Sequence, residues 1–209
     1  PRKPLATILS GMKFSTKLPL IQKYLEMADM LFVGGALFNN IAKSMGYNVG
    51  QSLIDTEAAD IDQLVKTDVF KQKVYIPKEV VVRNVDTGEI RKADLSEVQE
   101  RESIQDISED SMNHFVQKLE ENGVQTIVWN GPIGNYEKPE FSKGTIEFAK
   151  LLYAYVRNNV SVQALIGGGD TVGALQNNIV DFDKQDRIFV STGGGAMLEF
   201  LEKDGHLPG

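Results

Sequence analysis

Residues 164–173 of the 209-residue chain have the sequence ALIGGGDTVG, and this stretch decides the predicted fold. A short apolar run bounded by glycines is typical of a buried strand, and glycines let a ligand approach the bare backbone. Thr171 stands where an N-cap would open a helix over residues 172–178. A strand, a glycine turn and a helix N-terminus together favour an anion site, because unpaired backbone N–H groups and the helix dipole point at the turn.

The same order of apolar strand, glycine turn and amphipathic helix recurs along the chain. Predicted strands that lead into such turns cover residues 5–9, 30–33, 126–129, 162–166 and 187–190. Predicted helices cover residues 18–30, 36–45, 55–71, 108–122 and 143–157, with a final helix that ends near residue 201. This order implies parallel strands, right-handed crossovers and helices on both faces of the sheet. We therefore predict one α/β domain over residues 1–209, with a Rossmann-like three-layer α/β/α fold and a mainly parallel sheet of about six strands.

The middle of the chain predicts a small additional β excursion. Residues 73–76 and 80–82 are short β-branched runs, and the turn sequence DTGE follows them. Residues 93–107 are charged and weakly periodic, which predicts a loop with a short helix. Ser108 is the predicted N-cap of the helix that follows, with Ser111 as the alternative.

The composition narrows the classes of function. The formal net charge of −7 disfavours a broad nucleic-acid or membrane surface, because sequence-independent phosphate binding needs lysines and arginines clustered over a whole face. The sequence has no cysteine, which excludes a disulfide framework, a thiolate nucleophile and a cysteine-type zinc site. Neither a secretory signal nor a stretch of ~18 to 20 apolar residues is present. We expect a cytoplasmic protein and, since the chain does not begin with Met, a piece of a longer one.

Five glycine-bearing turns are predicted to meet at the carboxyl edge of the sheet, where open α/β sheets bind their ligands. They contain Gly11, Gly34-Gly35, Gly131 to Gly134, Gly167 to Gly169 and Gly193 to Gly195. Each glycine pair alone could be no more than a tight strand-to-helix turn. The convergence of five such turns favours a ligand site.

The standard nucleotide signatures are absent from the sequence. Neither G-x-x-x-x-G-K-[ST] nor G-x-G-x-x-G occurs, which disfavours a P-loop enzyme and an ordinary Rossmann dehydrogenase. Lys13 and Lys17 follow the first strand and lie one helical turn apart, so both ammonium groups can project toward the shared edge. Such a pair suits a polyphosphate, and the alternative is two solvated surface lysines.

Five motifs together carry a specific resemblance to a known family. SGMKFSTK at 10–17, VGGALFNNIAKSMGYNVGQSL at 33–53, VWNGPIGNYE at 128–137, IGGGDT at 166–171 and STGGGAMLEFLE at 191–202 resemble, in this order, the C-terminal nucleotide-binding domain of phosphoglycerate kinases. In that family the N-terminal domain holds 3-phosphoglycerate on a basic patch, and the C-terminal domain holds Mg-ADP or Mg-ATP. The resemblance implies that only the second half is present here.

The resemblance assigns a role to each motif residue. Asp170 would meet Mg²⁺, a hard cation that takes one or two carboxylates together with phosphate oxygens and water. Lys13 would follow the transferring phosphoryl group, Lys17 would hold the nucleotide phosphates, and Glu137 would accept from the ribose hydroxyls. Thr171 would add a hydroxyl or backbone donor. Transition-state charge would meet the N–H groups of Gly193, Gly194 and Gly195, and the other nucleotide-binding positions would be Gly11, Gly34, Gly35, Asn130, Gly131, Pro132, Gly134, Gly167, Gly168 and Gly169.

The chain departs from the family pattern at four places, the first of which is SGMKFSTK at residues 10–17 instead of G-G-A-K-V-x-D-K, with both lysines retained. The usual third glycine of the second loop is Ala36, and Glu79 stands where the family usually has Asp. The family's D-x-G-P-x-[ST] is DISEDS at residues 106–111, without the Gly and Pro that border the base. We expect a divergent member with altered nucleotide preference or affinity.

The resemblance implies a parent enzyme that reversibly transfers a phosphoryl group between 1,3-bisphosphoglycerate and ADP, without a Ser, Cys or His nucleophile. The chain alone is expected to be monomeric and to bind Mg-ADP without turnover, because 3-phosphoglycerate or 1,3-bisphosphoglycerate binds the missing domain. One alternative is a non-catalytic nucleotide-binding module, which the degraded residues 108–110 favour and the retained Lys13, Lys17 and Asp170 oppose. Another is an unrelated Rossmann-type enzyme for a small phosphorylated substrate.

Overall fold

A central sheet of six parallel strands organises the computed structural model, which describes residues 1–12, 14–57, 60–176 and 186–193, without the side chains of 14–16. In chain order the strands are β1 (Leu5–Leu9), β2 (Met30–Val33), β3 (Val74–Tyr75), β4 (Glu79–Asn84), β5 (Ile90–Asp94), β6 (Glu102–Ile107), β7 (Thr126–Asn130), β8 (Gln163–Gly167) and β9 (Ile188–Ser191). The order in the central sheet is β3-β2-β1-β7-β8-β9. β1 therefore lies between β2 and β7, and it is parallel to both.

Helices cover both faces of this sheet. They are α1 (Phe14–Met27), α2 (Gly35–Ser44), α3 (Ile61–Leu64), α4 (Asp68–Lys73), α5 (Glu109–Glu121), α6 (Lys143–Asn158) and α7 (Gly169–Gln176). Alternate side chains of β1 enter two different apolar cores: Leu5 and Leu9 pack with α1 and α2, whereas Ala6 and Ile8 pack with α5 and α6. Because side chains alternate along a strand, burial on both sides requires the near-continuous apolar runs seen in the sequence. The predicted three-layer α/β fold with a six-stranded parallel sheet is confirmed.

A β excursion is confirmed, but its residues differ from the prediction, because the run at residues 73–76 contributes β3 to the edge of the central sheet. β4, β5 and β6 form an antiparallel sheet in the order β5-β4-β6. The predicted loop over residues 93–107 is wrong, because most of this stretch is the end of β5 and all of β6, and the short helix is one 3₁₀ turn at Leu95–Glu97. β6 forms because it pairs with β4 through backbone hydrogen bonds. The weak apolar alternation of the segment did not predict this pairing.

The predicted helix over residues 55–71 is also wrong, since two short helices replace it. α3 ends at Leu64, and Thr67 then takes an extended conformation as the N-cap of α4. The hydroxyl of Thr67 accepts a hydrogen bond from the backbone N–H of Phe70. This local cap competes with continuation of the first helix and restarts the chain in a new direction.

The first helix is shifted from its predicted range of residues 18–30, since α1 is Phe14–Met27 and Met30 already belongs to β2. The ends of two other helices fit the sequence signals better. Ser108 is the N-cap of α5, where its hydroxyl accepts from the N–H of Ser111. After α2, Gly46 has a φ of +93°, and its N–H and that of Tyr47 bond back to the carbonyls of Lys43 and Ala42. The final predicted helix lies outside the described residues. No helix in the described part of the chain is both long and apolar enough to cross a membrane.

Candidate functional site

A cavity of about 690 Å³ opens at the carboxyl edge of the central sheet. This volume is typical of a small-molecule site. Its wall is drawn from five segments: residues 10–12 with Lys17, residues 35–39 of α2 with Leu53, residues 103–107 of β6, residues 130–137 after β7, and residues 168–171 at the start of α7. The predicted edge therefore carries the cavity, and the small sheet forms part of the wall.

Most of the predicted site residues line this cavity. They are Gly11, Lys17, Gly35, Asn130, Gly131, Pro132, Gly134, Glu137, Gly168, Gly169, Asp170 and Thr171. Gly34 precedes α2 as its N-cap residue, and Gly167 is the last residue of β8. Gly193 is exposed shortly after β9. Lys13, Gly194 and Gly195 lie outside the described residues.

Two glycines let the turns after the strands pack backbone against backbone. Gly131 has a φ of +97°, and a Cβ at this position would come closer than 3.0 Å to the carbonyl oxygen of Ser10. Gly35 has a φ of +62°, and a Cβ there would meet the hydroxyl of Ser10 at a similarly forbidden distance. Positive φ and close approach both require glycine. The turns after β1, β2 and β7 are thereby fixed against one another.

Lys17 places a partly desolvated positive charge in the cavity wall. Its ammonium nitrogen lies 2.9 Å from Asn130 Oδ1, to which it donates a hydrogen bond. Burial lowers the pKa of Lys17 from its ordinary value. A neutral amide neutralises none of the charge, so the ammonium group remains electrostatically available to an anion.

Asp170 and Thr171 occupy the first turn of α7 and face different environments. Asp170 is exposed at the cavity wall, whereas Thr171 is buried and its Oγ1 accepts from the N–H of Gly131 at 3.0 Å. The predicted N-cap role of Thr171 is wrong, because α7 already begins at Gly169. The hydroxyl instead joins the turns that follow β7 and β8.

Tyr136 is a cavity residue that the sequence analysis missed. Its side chain lines the cavity near Asp170. Burial raises the pKa of Tyr136, and the neighbouring negative charge of Asp170 raises it further. The aromatic position of the VWNGPIGNYE motif is its only signal in the sequence.

Asp106 is a second missed residue, with a buried carboxyl group beside the cavity. Burial raises the pKa of Asp106 to about 7, although the N–H groups of Gly144 and Ile107 both donate to it and act in the opposite direction. The side chain of the preceding residue, Gln105, is fixed by two hydrogen bonds. It donates to Ser103 Oγ at 2.8 Å and accepts from Asn135 Nδ2 at 3.0 Å. In the sequence, the only indication of this residue was an acid in the segment DISEDS, which differs from the family pattern.

The described residues contain no cluster of three or more His, Asp or Glu side chains that could form a self-contained metal site. One exposed carboxylate, Asp170, stands beside a glycine-rich wall and near Tyr136. Mg²⁺ commonly binds proteins through one or two carboxylates and completes its shell with phosphate oxygens and water. The residues present therefore fit a magnesium ion that arrives with a polyphosphate.

Comparisons with known proteins give a consistent result. A family model described as phosphoglycerate kinase matches residues 1–204. The phosphoglycerate kinase of Syntrophobacter fumaroxidans is 34% identical over 207 residues, which cover 97% of this chain and 49% of the relative. That of Thermus thermophilus is 35% identical over 214 residues, which cover 100% of this chain and 52% of the relative.

The fold shows the same similarity. A solved structure of phosphoglycerate kinase from Coxiella burnetii matches with a TM-score of 0.81 at 33% identity, covering 99% of this chain and 51% of that chain. The chain thus spans about half the length of the relatives that it matches.

Proposed function

The chain belongs to the phosphoglycerate kinase family, and we propose that residues 1–209 are the nucleotide-binding domain of such a kinase, with Mg-ADP or Mg-ATP in the cavity. One observation carries the proposal: the carboxyl edge of the central sheet brings Lys17, Asn130 and Asp170 together with glycine turns around one cavity. A cation, a neutral amide and a carboxylate are the groups that a magnesium polyphosphate needs.

The phosphate end of the nucleotide is assigned to the turns of the central sheet. Lys17 donates to the phosphates after exchanging its Asn130 partner for an anionic oxygen, and charge-assisted hydrogen bonds of this kind are stronger than neutral ones. Asp170 holds Mg²⁺, which neutralises charge on the phosphate oxygens when it is bound. Lys13 and the N–H groups of Gly193, Gly194 and Gly195 are proposed to serve the transferring phosphoryl group.

The nucleoside end is assigned to the wall between α2, β6 and the turn after β7. Glu137 accepts from the ribose hydroxyls, and Gly34 and Gly35 leave a flat backbone surface for the base. Asn130, Gly131, Pro132 and Gly134 shape the wall between the two ends, together with Gly11 and the glycines at 167–169.

The parent reaction is proposed to be the reversible transfer of a phosphoryl group between 1,3-bisphosphoglycerate and ADP. In phosphoryl transfer the protein contributes mainly positioning and charge stabilisation. Holding both substrates together can supply roughly 7–11 kcal/mol of the barrier. We expect this chain alone to bind nucleotide without turnover. The second substrate would bind the half of the related kinases that this chain does not cover.

Isothermal titration calorimetry with Mg-ADP tests the site assignment. Lys17→Ala and Asp170→Ala should each weaken binding by about tenfold or more, since each removes a charged partner worth ~1.5–3 kcal/mol. Asp170→Ala should have a much smaller effect on ADP without Mg²⁺. Lys71→Ala and Asp68→Ala are matched controls, because both residues are exposed on α4 and Asp68 also lies in the first turn of its helix.

The outcomes separate the proposal from its alternatives. Unchanged affinity in both site variants would refute the assignment, and preferential binding of NAD over ADP would favour an unrelated Rossmann-type enzyme. A coupled assay with 3-phosphoglycerate and ATP addresses the second expectation, which fails if the chain alone sustains turnover.

A further inference from the structure

The carboxyl group of Asp106 is buried at the cavity wall, and the proposed function gives it no role. Asp106 lies in β6 and is 3% exposed. Burying a carboxyl group is costly unless hydrogen bonds compensate it. The contacts of its two oxygens therefore indicate what the residue does.

Both oxygens of Asp106 have a defined partner in a space that glycines leave open. Oδ2 accepts from the N–H of Gly144 at 2.7 Å, and Oδ1 accepts from the N–H of Ile107 at 2.9 Å. A Cβ at Gly144 or at Gly134 would lie closer than 3.0 Å to Oδ1. The carboxyl group thus fits between β6, the turn after β7 and the start of α6.

Helix α6 has no side-chain cap of its own, which explains the contact with Gly144. Ser142 occupies the N-cap position without a capping hydrogen bond, and the first turn of α6 contains no acidic residue. The first N–H groups of a helix need acceptors, and negative charge is favoured there by the helix dipole. Asp106 supplies that acceptor from a different element, so it caps α6 across the fold.

The first turn of α6 in turn holds the segment that leads to Glu137. Thr145 Oγ1 accepts from the N–H of Ile133 at 3.0 Å and from that of Gly134 at 3.4 Å. One residue further on, the N–H of Asn135 donates to the carbonyl of Gln105, the neighbour of Asp106. Two sets of contacts from the end of β6 therefore position the turn over residues 133–137. One runs from Asp106 through the first turn of α6, and the other is the direct hydrogen bond to Gln105.

We propose that Asp106 is a positioning residue for the nucleoside part of the bound nucleotide, acting through α6 and the turn over residues 133–137. The inference rests on the proposed function, which assigns the ribose to Glu137. The phosphate end depends on other elements, since Lys17 belongs to α1 and Asp170 to α7. Removal of the Asp106 carboxylate displaces the nucleoside contacts and leaves the phosphate contacts in place.

A comparison of two ligands tests this assignment. The affinities of wild type, Asp106→Asn and Asp106→Ala are measured by calorimetry for Mg-ADP, and by displacement of a fluorescent ADP analogue for Mg-pyrophosphate, which lacks a nucleoside. Asp106→Asn should weaken Mg-ADP about tenfold and alter Mg-pyrophosphate less than about twofold, because misplacement of a contact group affects only the part of the ligand it touches. Asp106→Ala should weaken Mg-ADP further, since Asn keeps one acceptor oxygen for an N–H group.

Thr67→Ala is the matched control. Thr67 does not line the cavity, and it caps α4 by accepting from the N–H of Phe70 at 3.2 Å. Its loss should lower the midpoint of thermal unfolding without changing the ratio of the two affinities. Circular dichroism establishes that each variant is folded.

Each outcome bears on one of the two proposals. Unchanged Mg-ADP affinity, or equal weakening of both ligands in folded Asp106→Asn, overturns the positioning role. Failure of both Asp106 variants to fold overturns it too, because the carboxyl group would then serve the fold as a whole. A wild-type chain that binds neither Mg-ADP nor Mg-pyrophosphate overturns the proposed function instead.

Discussion

The two sheets form different parts of the cavity wall, and different interactions stabilise them. The central sheet has apolar strands buried on both faces, and the turns that follow β1, β7 and β8 form one end of the cavity wall. The small sheet has an exposed outer strand, β5, while β6 carries buried polar side chains such as Glu102, Ser103 and Asp106. One end of the cavity thus rests on apolar packing, and the other rests on polar groups that need specific partners.

The largest effect should come from the apolar core of the central sheet. Trp129 is fully buried in β7, packs edge-on against Phe148 at 5.5 Å and donates from Nε1 to the carbonyl of Gly131. Trp129→Ala should cost about 3–5 kcal/mol in the free energy of unfolding, measured with urea. Phe189→Ala, at an exposed position of β9, is the control and should cost little. Similar losses in both variants would contradict the importance of apolar packing in this sheet.

A smaller effect is expected from the main polar pair of the small sheet. Arg91 donates to both carboxylate oxygens of buried Glu102, at 2.7 and 2.9 Å. Arg91→Ala should cost about 1–3 kcal/mol at pH 7, because it leaves a buried carboxylate with fewer partners. Arg91→Lys should recover part of that loss, since a lysine retains the charge but not the two-pronged geometry.

The pH dependence of the same pair has a definite sign. The hydrogen bond from Arg91 holds the pKa of Glu102 below its ordinary value of 4.5. The pair therefore stabilises the fold above that value, and the contribution is lost as the pH falls through the depressed pKa of the folded state. The difference between wild type and Arg91→Ala should shrink at low pH, and an unchanged difference would argue against the ion pair.

Asp106 should give the opposite pH dependence. Its pKa is raised by burial from 3.8 to about 7, so the folded state holds the proton more tightly than the unfolded state. Stability from this group is full below pH 3.8 and is lost as the pH rises toward 7, with a slope of at most about 1.4 kcal/mol per pH unit. The unfolding free energy of wild type minus that of Asp106→Asn should fall between pH 5 and 7. If this difference in unfolding free energy does not change with pH, the raised pKa of Asp106 is refuted.

The smallest effect is expected from an exposed pair at the edge of the small sheet. Arg101 and Asp86 form a salt bridge whose side chains are 59% and 53% exposed. Solvent screening makes such pairs weak, so Arg101→Ala should leave the urea midpoint almost unchanged. A loss as large as that of Arg91→Ala would remove the distinction between buried and exposed polar pairs on this sheet.

Sequence patterns predicted the central sheet well because its physical signal is local. The strands β1, β2 and β7 are near-continuous apolar runs, and burial on both faces favours that composition. β6 gave no such signal, since its sequence ESIQDI mixes acids and amides with apolar residues. The acids of β6 are compensated by partners elsewhere in the chain, Arg91 for Glu102 and Gly144 for Asp106, and no local pattern encodes those partners.

The candidate site shows the same limit. Motifs identified Lys17, Asn130 and Asp170 individually, but the hydrogen bond between Lys17 and Asn130 joins residues 113 positions apart. The sequence around Thr171 predicts a helix cap. In the structure its hydroxyl accepts a hydrogen bond from a backbone N–H in the turn after β7. Residue types at the site were predictable from sequence, and their partners required the folded chain.

The central position of β1 has a consequence for how the chain is made. β1 pairs with β2 on one side and with β7 on the other, and β7 is encoded far downstream. While the polypeptide is being synthesised, β1 and β2 emerge from the ribosome long before residues 126–130 do. Until then one side of β1 exposes unpaired N–H and C=O groups on an apolar strand, a feature prone to incorrect association. Completion of the sheet is therefore a late, non-local step.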